Sequence, residues 1–444
     1  MAVKIGMVSL GCSKNQVDAE LLLALIVEGG YEISADASEC DVVIINTCGF
    51  IEDAKRESIE TILEFCQMKE EGQVKAVVVT GCLAERYREE VSVEIPEADV
   101  VLGIGKNKEI LQAIRDALDG KKTVAFGDKY ALPLEGPRIL ANAPYFAYLK
   151  VADGCDNRCS YCAIPLIRGG FRSRPVEKVV EEAKRLADAG VTELNVVAQD
   201  TTRYGEDLYG RPALPELLEQ LCRVDGIRWV RILYCYPDRI TDQLLEVMAR
   251  EEKIVKYMDI PIQHVSGRLL KLMNRRGDAG SLTALMRKIR ERVPGVVLRT
   301  TLITGFPTES EADFSELCTF IREVKFERLG CFPYSAEEDT PAAEMDGQID
   351  EEKKHRRAEV VMEEQYRVLE AFNASQIGRR LTVLVEGRAR DGLWYGRSYM
   401  DAPDIDTKVF FTGPADCPSG SYVAVEITGT EEYDLLGRML EVEA

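Results

Sequence analysis

The run Cys155-Asp156-Asn157-Arg158-Cys159-Ser160-Tyr161-Cys162 places three thiols at C-x3-C-x2-C spacing, directly after the apolar stretch Tyr145 to Val151. Three thiolates hold three irons of a cubic iron–sulfur cluster and leave the fourth open. An open iron can bind a substrate or cofactor, which a cluster with four cysteine ligands cannot readily do. The competing use of such thiols is zinc. Structural zinc takes four ligands, however, and no fourth Cys or His lies nearby in the sequence.

Outward from this run, strand and helix signals alternate from Tyr145 to about residue 345. Strands are expected at Phe146–Val151, Glu193–Ala198, Trp229–Tyr234, Tyr257–Ile262, Val296–Ile303 and Arg328–Tyr334. Helical patterns separate them at Val176–Ala189, Leu214–Val224, Asp242–Arg250, Gly280–Arg292 and Glu309–Val324. Six such βα units suffice for a partly open (β/α)6 barrel with its site at the carboxyl ends of the strands.

Upstream, the first 125 residues read as a doubly wound α/β domain. Lys4–Leu10, Asp41–Asn46 and Val74–Thr80 are short apolar runs, and the third is almost wholly apolar, as buried parallel strands tend to be. Asp18 is placed to cap a helix running to Glu28, closed by Gly29-Gly30, and a second helix is expected from Glu52 to Phe65. Cys12, Cys48 and Cys82 each stand two residues past the end of one of these runs. Loops at that edge of an open sheet gather into sites, so three thiols distant in sequence can converge as a second cluster; the alternative is three separately buried cysteines.

Pro133, Gly136, Pro137 and Pro144 break the pattern as a linker does. Asp350–Ala374 reads as one long charged helix with a solvated face, followed by Gly378. Then five strands are expected, Arg380–Gly387, Leu393–Ser398, Val409–Phe411, Tyr422–Thr428 and Asp434–Glu441, as in a small antiparallel barrel. The domains so drawn are 1–130, 141–374 and 375–444.

The composition, 46% hydrophobic and 30% charged, excludes a disordered chain. No apolar stretch reaches the 18 or so residues that cross a bilayer. Met1-Ala2-Val3-Lys4-Ile5-Gly6 lacks the layout of a signal peptide, and thirteen cysteines then point to reduced or metal-bound thiols in a cytoplasm. The formal net charge is −20 and none of the three segments is basic. Such a field repels nucleic acid and favours a basic partner, although solubility alone accounts for it equally well.

Cys155, Cys159 and Cys162, with Tyr161 before the last cysteine, resemble the signature of radical S-adenosylmethionine (SAM) enzymes. Adding Cys12, Cys48, Cys82 and the segment Ile164-Pro165-Leu166-Ile167-Arg168-Gly169-Gly170-Phe171-Arg172-Ser173-Arg174-Pro175, the chain is similar along nearly its whole length to the methylthiotransferase family. The N-terminal and barrel domains of that family are called MTTase and TRAM. One branch modifies an adenosine of tRNA; the other modifies an aspartate of small-subunit ribosomal protein S-twelve. Ser9-Leu10-Gly11-Cys12-Ser13-Lys14-Asn15, Val197-Ala198-Gln199-Asp200-Thr201-Thr202 and Gly396 to Asp406 resemble the second branch. The last stretch puts Asp401, Asp404 and Asp406 on the barrel, and an acidic barrel suits a basic ribosomal protein better than a polyphosphate.

The resemblance implies a transferase with two 4Fe–4S clusters and SAM. The open iron at Cys155/Cys159/Cys162 is expected to bind SAM, whose reductive cleavage yields methionine and a 5′-deoxyadenosyl radical that takes a hydrogen from the β-carbon of the target aspartate. The Cys12/Cys48/Cys82 cluster is expected to carry the sulfur, a second SAM to give the methyl group, and a flavodoxin or ferredoxin to give electrons. The tRNA branch, and a non-catalytic iron–sulfur or RNA-binding protein, are the alternatives. SAM contacts are expected from Tyr161, whose ring could simply pack, from Gln199 and Asp200, which could equally be a helix cap, and from Gln263, Thr304 and Gly305. His264 reads as either a site residue or a structural histidine. Arg168, Arg172 and Arg174 could meet carboxylates of SAM or substrate, although exposed arginines are the default.

Overall fold

The apolar runs of the first 125 residues become part of a six-stranded parallel sheet. Its strands are β1 (Lys4–Ser9), β2 (Glu32–Ser34), β3 (Val42–Thr47), β4 (Ala76–Gly81), β5 (Val100–Leu102) and β6 (Thr123–Ala125), in the order β2-β1-β3-β4-β5-β6. The structure is a computed structural model that describes residues 3–440 apart from Asp391 and Ala415. Met1, Ala2 and the expected strand end at Glu441 lie outside the described residues. Every residue of β3 and β4 is buried, which is why their sequences show no alternation. Chain order reverses between β1 and β3, and such a switch point opens a crevice at the carboxyl edge.

Three helices leave that edge: α1 (Ser13–Glu28), α2 (Glu52–Glu70) and α3 (Cys82–Tyr87). Asp18, expected as a cap, is instead buried in the second turn of α1. Its carboxylate takes the ammonium of Lys150 and the guanidinium of Arg168, both from the central domain. Spacing made it look like a cap; a partner more than a hundred residues away makes it an interior ion pair.

The central domain carries β7 (Phe146–Lys150), β8 (Ala152–Asp153), β9 (Arg172–Ser173), β10 (Glu193–Val197), β11 (Trp229–Ile232), β12 (Ile254–Asp259), β13 (Val297–Thr304) and β14 (Arg328–Pro333). Six of these form one parallel sheet ordered β14-β13-β12-β11-β10-β7, with no pairing between its two edges among the described residues, so the barrel stays open. β8 and β9 pair antiparallel and bracket the cysteine loop. Alternate strand residues such as Leu149, Leu194, Val196, Val230 and Ile232 pack with helical residues such as Val179, Leu217 and Met248. Tyr148, Val197, Leu233, Tyr257 and Val297, on the other face, share a separate core with the C-terminal barrel.

That barrel closes as β15 (Arg380–Arg390), β16 (Leu393–Ser398), β17 (Val409–Thr412), β19 (Asp434–Met439) and β18 (Tyr422–Glu431). All pairs are antiparallel except β17–β19, which is parallel. The loop between β16 and β17 turns its acids toward the central sheet. Asp401 is buried against Arg328 at 2.6 Å, Asp406 accepts from the Tyr257 hydroxyl at 2.6 Å, and Asp404 accepts from Tyr148 at 3.1 Å. Asp401 and Asp406 thus fasten the barrel to the central sheet and are withdrawn from the acidic surface expected for a basic partner, while Asp404 stays exposed. Removing Asp401 would leave a buried guanidinium short of its counter-ion. Among the described residues no helix is long and apolar enough to cross a membrane.

Candidate functional site

Pairing register brings the first three cysteines to one level. Ser9 lies opposite Asn46, and Asn46 opposite Thr80, so the loops bearing Cys12, Cys48 and Cys82 start side by side. Asn15 ties them together, its Nδ2 donating to the carbonyls of Leu10 (2.8 Å), Thr47 (3.2 Å) and Asn46 (3.3 Å). Gly11 is at φ +86°, and a Cβ there would stand 2.6 Å from the Cys48 sulfur. The Leu10-Gly11-Cys12 motif therefore needs glycine for both conformation and space.

The three thiols are close enough for their charges to interact. Burial pushes Cys48 up to about 12, with the charges of Cys82 and Cys12 adding to the rise. Burial also opposes ionisation of Cys12, but the Lys14 and Arg168 cations, together with the backbone N–H groups of Asn15 and Lys14, outweigh it and hold that thiol below its ordinary value. Cys12 keeps solvent access although protein surrounds it on most sides, as befits a thiol in a cleft.

The second set occupies one loop. Cys155 N–H donates to the Gly169 carbonyl at 3.1 Å and Cys162 N–H to Cys159 at 3.0 Å. Asn274 donates to the carbonyls of Asn157 and Arg158, at 3.1 and 2.9 Å. Arg275 reaches the Cys159 sulfur at 3.7 Å and stacks over Tyr236. All three thiols are partly accessible. Burial and then the neighbouring Cys159 thiolate push Cys162 well up, and burial holds Cys155 at about 11 despite the Asn157 N–H. Protein alone thus disfavours three thiolates here, whereas bound metal deprotonates coordinating thiols outright. Both donor sets fit iron–sulfur clusters. Among the described residues no three Cys, His, Asp or Glu side chains converge on a single metal ion, which is what zinc needs. Cysteine ligands of a cubane bind separate irons and stand further apart.

The helix Ile164–Arg168 joins the two sets. It begins two residues after Cys162; Ala163 and Ile167 pack on Cys82. Arg168 then donates to the Cys82 sulfur at 3.2 Å and to Asn15 Oδ1 at 3.0 Å, while pairing with Asp18 and Asp153. Lys150 meets the same two acids.

The expected SAM residues divide. Gln199 donates to Asp153 at 3.0 Å and keeps a buried Oε1 without a partner. Asp200 is instead occupied, accepting from Asn157 at 2.8 Å and Thr202 at 2.6 Å, so it holds the cysteine loop. Gln263 continues the sheet through a bridge to Leu302 at φ +69°. The Thr304 hydroxyl donates to the Lys354 carbonyl, and Gly305, at φ +73°, donates its N–H to Glu309. A Cβ on Gly305 would run into Lys354, so this turn too requires glycine. The Tyr161 ring packs on the central core with its hydroxyl 3.4 Å from Arg275.

His264 is fully buried; its Nδ1 accepts from the Ser266 N–H at 3.0 Å, and its Nε2 stands 4.0 Å from Glu309 without a hydrogen bond. The three arginines are likewise engaged within the protein. Arg174 bonds the Lys150 carbonyl and Glu182, Arg172 bonds Tyr130, and Arg168 has the partners already given. Sequence reasoning missed Lys150, Asp153, Asn157 and Arg275. Lys150, Asp153 and Asn157 stand near the cysteines in sequence and Arg275 does not, and the roles of all four depend on partners from other elements.

Three family models match: Uncharacterized protein family UPF0004 over residues 4–103, the Radical SAM superfamily over 149–321 and the TRAM domain over 377–440. The ribosomal protein uS12 methylthiotransferase RimO of Pelotomaculum thermopropionicum is 51% identical over 98% of this chain and 99% of its own. That of Lachnoclostridium phytofermentans is 48% identical with the same coverage. Among solved structures, the radical S-adenosylmethionine methyltransferase TsrM of Kitasatospora setae shares the fold at a TM-score of 0.56 and 13% identity, over 89% of this chain and 81% of that one. Near-identity of length, the three domain matches and about half the residues in common lead to one conclusion: the chain belongs to the RimO family of radical SAM methylthiotransferases.

Proposed function

We propose that this protein adds a methylthio group to the β-carbon of an aspartate in small-subunit ribosomal protein uS12, using one SAM as radical source and a second as methyl donor. The observation that carries this reading is 51% identity over 98% of the chain to a protein bearing that name. No observation favours tRNA as the substrate.

Cys155, Cys159 and Cys162 would hold the SAM-binding cluster; Cys12, Cys48 and Cys82 would hold the auxiliary one. When bound, these groups supply one-electron cleavage of SAM and the sulfur to be transferred, reaching an unactivated C–H bond that acid–base catalysis cannot. The chain's own residues position and shield. Asn274, and Asp200 through Asn157, fix the cysteine loop against the strand ends. Arg275 covers one side of Cys159, and Arg168 faces Cys82 with positive charge. Tyr161, Gln199, Gln263, Thr304 and Gly305 are the proposed SAM contacts, with the unpartnered Gln199 Oε1 free to accept a hydrogen bond. Asp200 belongs to the support of that site rather than to its lining. The electron donor is a flavodoxin or ferredoxin, and the reaction belongs in the cytoplasm, where ribosomal proteins are reached.

The test is anaerobic incubation of the cluster-loaded protein with SAM, reductant and either uS12 or tRNA, read by mass spectrometry. Methylthiolated uS12 beside unmodified tRNA is expected. Modified tRNA beside untouched uS12 overturns the reading.

A further inference from the structure

Lys14 is one of the two cations beside Cys12, and it occupies an unusual place. It lies in the first turn of α1, two residues after Cys12, and is only 6% exposed. Its ammonium stands over the ring of Tyr234, 3.3 Å from the centroid. Among the described residues no carboxylate forms an ion pair with it. Tyr234 and the Cys12 sulfur are the groups that act on it most, and the one carboxylate that reaches it electrostatically, Asp259, is already taken: it accepts from the Tyr234 N–H at 3.0 Å and pairs with Arg299 at 3.1 Å. A buried ammonium normally finds a carboxylate, because losing water without one is costly. An aromatic face compensates in part, on one side only. The ammonium has three donors and a single face can use few of them.

Tyr234 gives a second, independent observation. It follows the end of β11 and sits at φ +62°, a conformation that bulky residues rarely adopt. Two contacts hold it there: its N–H on Asp259, and its carbonyl accepting from the Thr201 N–H at 3.0 Å. Residues held in such conformations gather where a ligand must be met. The result is a cation propped on a tyrosine ring, between the Cys12 loop and the end of a central strand, with Asp259 already committed.

We propose that Lys14 is the receptor for the carboxylate of the substrate aspartate. This rests on the uS12 reading above and deepens it. The family's two substrate classes differ in one respect that matters here: an aspartate side chain presents a full negative charge beside the carbon to be modified, and an adenine presents none. A desolvated ammonium discriminates on that charge. It accepts a carboxylate as a charge-assisted partner and gives an uncharged group much less. Placed next to Cys12, it also brings the held side chain to the auxiliary site.

The experiment measures binding, not turnover. Cluster-loaded protein with SAM, kept unreduced, is titrated with uS12 and with uS12 whose target aspartate is replaced by asparagine. The native protein is expected to prefer the aspartate form by about tenfold or more. Lys14→Met is expected to bring the two dissociation constants to within about twofold, and Lys14→Arg to recover part of the preference. Iron content and the EPR spectra establish that each variant is loaded. Retention of the preference in Lys14→Met overturns the proposal. So does a loss that falls on SAM affinity, or on the auxiliary cluster's spectrum, with discrimination intact, since Lys14 would then serve SAM or Cys12. If Lys14→Met fails to load, Lys14→Gln and the native ratio decide, and no native preference overturns the proposal. Failure of the uS12 reading looks different: the native protein then modifies tRNA and leaves uS12 untouched.

Discussion

Cys155, Cys159 and Cys162 share one loop, whereas Cys12, Cys48 and Cys82 come from three strand ends spread from residue 12 to residue 82. The loop site is held by local pins, Asn274 on its carbonyls and Asp200 on Asn157. The dispersed site is held by sheet register, with Asn15 fastening one loop to the next. A contiguous ligand set can be read from spacing and survives local change; a dispersed one inherits every error in the sheet beneath it. The two are nonetheless coupled, because Arg168 follows one set in sequence and donates to a sulfur of the other.

The sharpest way to break the pair apart is to remove one ligand from each. Cys155→Ala is expected to reduce SAM cleavage to background, read as 5′-deoxyadenosine by chromatography. Cys12→Ala is expected to keep part of that cleavage and lose methylthiolation of uS12, read by mass. Equal loss of both activities in the two variants would contradict the division of labour.

Arg168→Ala attacks the coupling itself. It leaves buried Asp18 and Asp153 to share Lys150 alone. Breaking a buried charge network of this kind costs about 3 kcal/mol or more, visible as a lower denaturation midpoint. A loss under about 1 kcal/mol would mean that Lys150 suffices.

Gly11→Ala sharpens the contrast between the sites. The new methyl would stand 2.6 Å from the Cys48 sulfur on a backbone at φ +86°, a strain of about 1–3 kcal/mol confined to the dispersed site. Iron content after anaerobic reconstitution is expected to fall by about half, the share of one cluster of two. Full iron content would show that the Cys12 loop can move aside.

The same contrast explains what was legible in the sequence. Central strands such as Trp229–Ile232 and Val297–Thr304 were visible because period and turn signals are local. The loop ligands were visible because they are contiguous. β2, β5 and β6 have three residues each, too few to show a pattern, and are strands only because neighbours pair with them. Asp18, Asp401 and Asp406 were misread for one shared reason: an acid's spacing carries no trace of a partner arginine, lysine or tyrosine many residues away. Asp200 is similar, its engagement being set by Asn157, 43 residues away.

The smallest effect concerns the clamp that sets one site against the other. Arg86 and Lys55 of the N-terminal domain grip Glu337 and Glu338 of the central one. Arg86 stands 2.6 Å from buried Glu337, and Glu338 accepts from the Tyr87 hydroxyl at 2.6 Å. The Tyr87 hydrogen bond, with help from Lys55, holds the Glu338 carboxyl down to about 2. A carboxyl depressed in the folded state stabilises it above its unfolded value of about 4.3, and loses that contribution as pH falls toward the folded value. Glu338 is 61% exposed, so solvent screening limits the gain to about 1 kcal/mol or less. Glu338→Gln should therefore lower the denaturation midpoint slightly near neutral pH, and native and variant should converge as pH drops below about 4. Comparing the two proteins at each pH cancels any acid loss of the clusters. A difference that persisted unchanged in acid would locate the effect in the shape of the clamp rather than in the charge of Glu338.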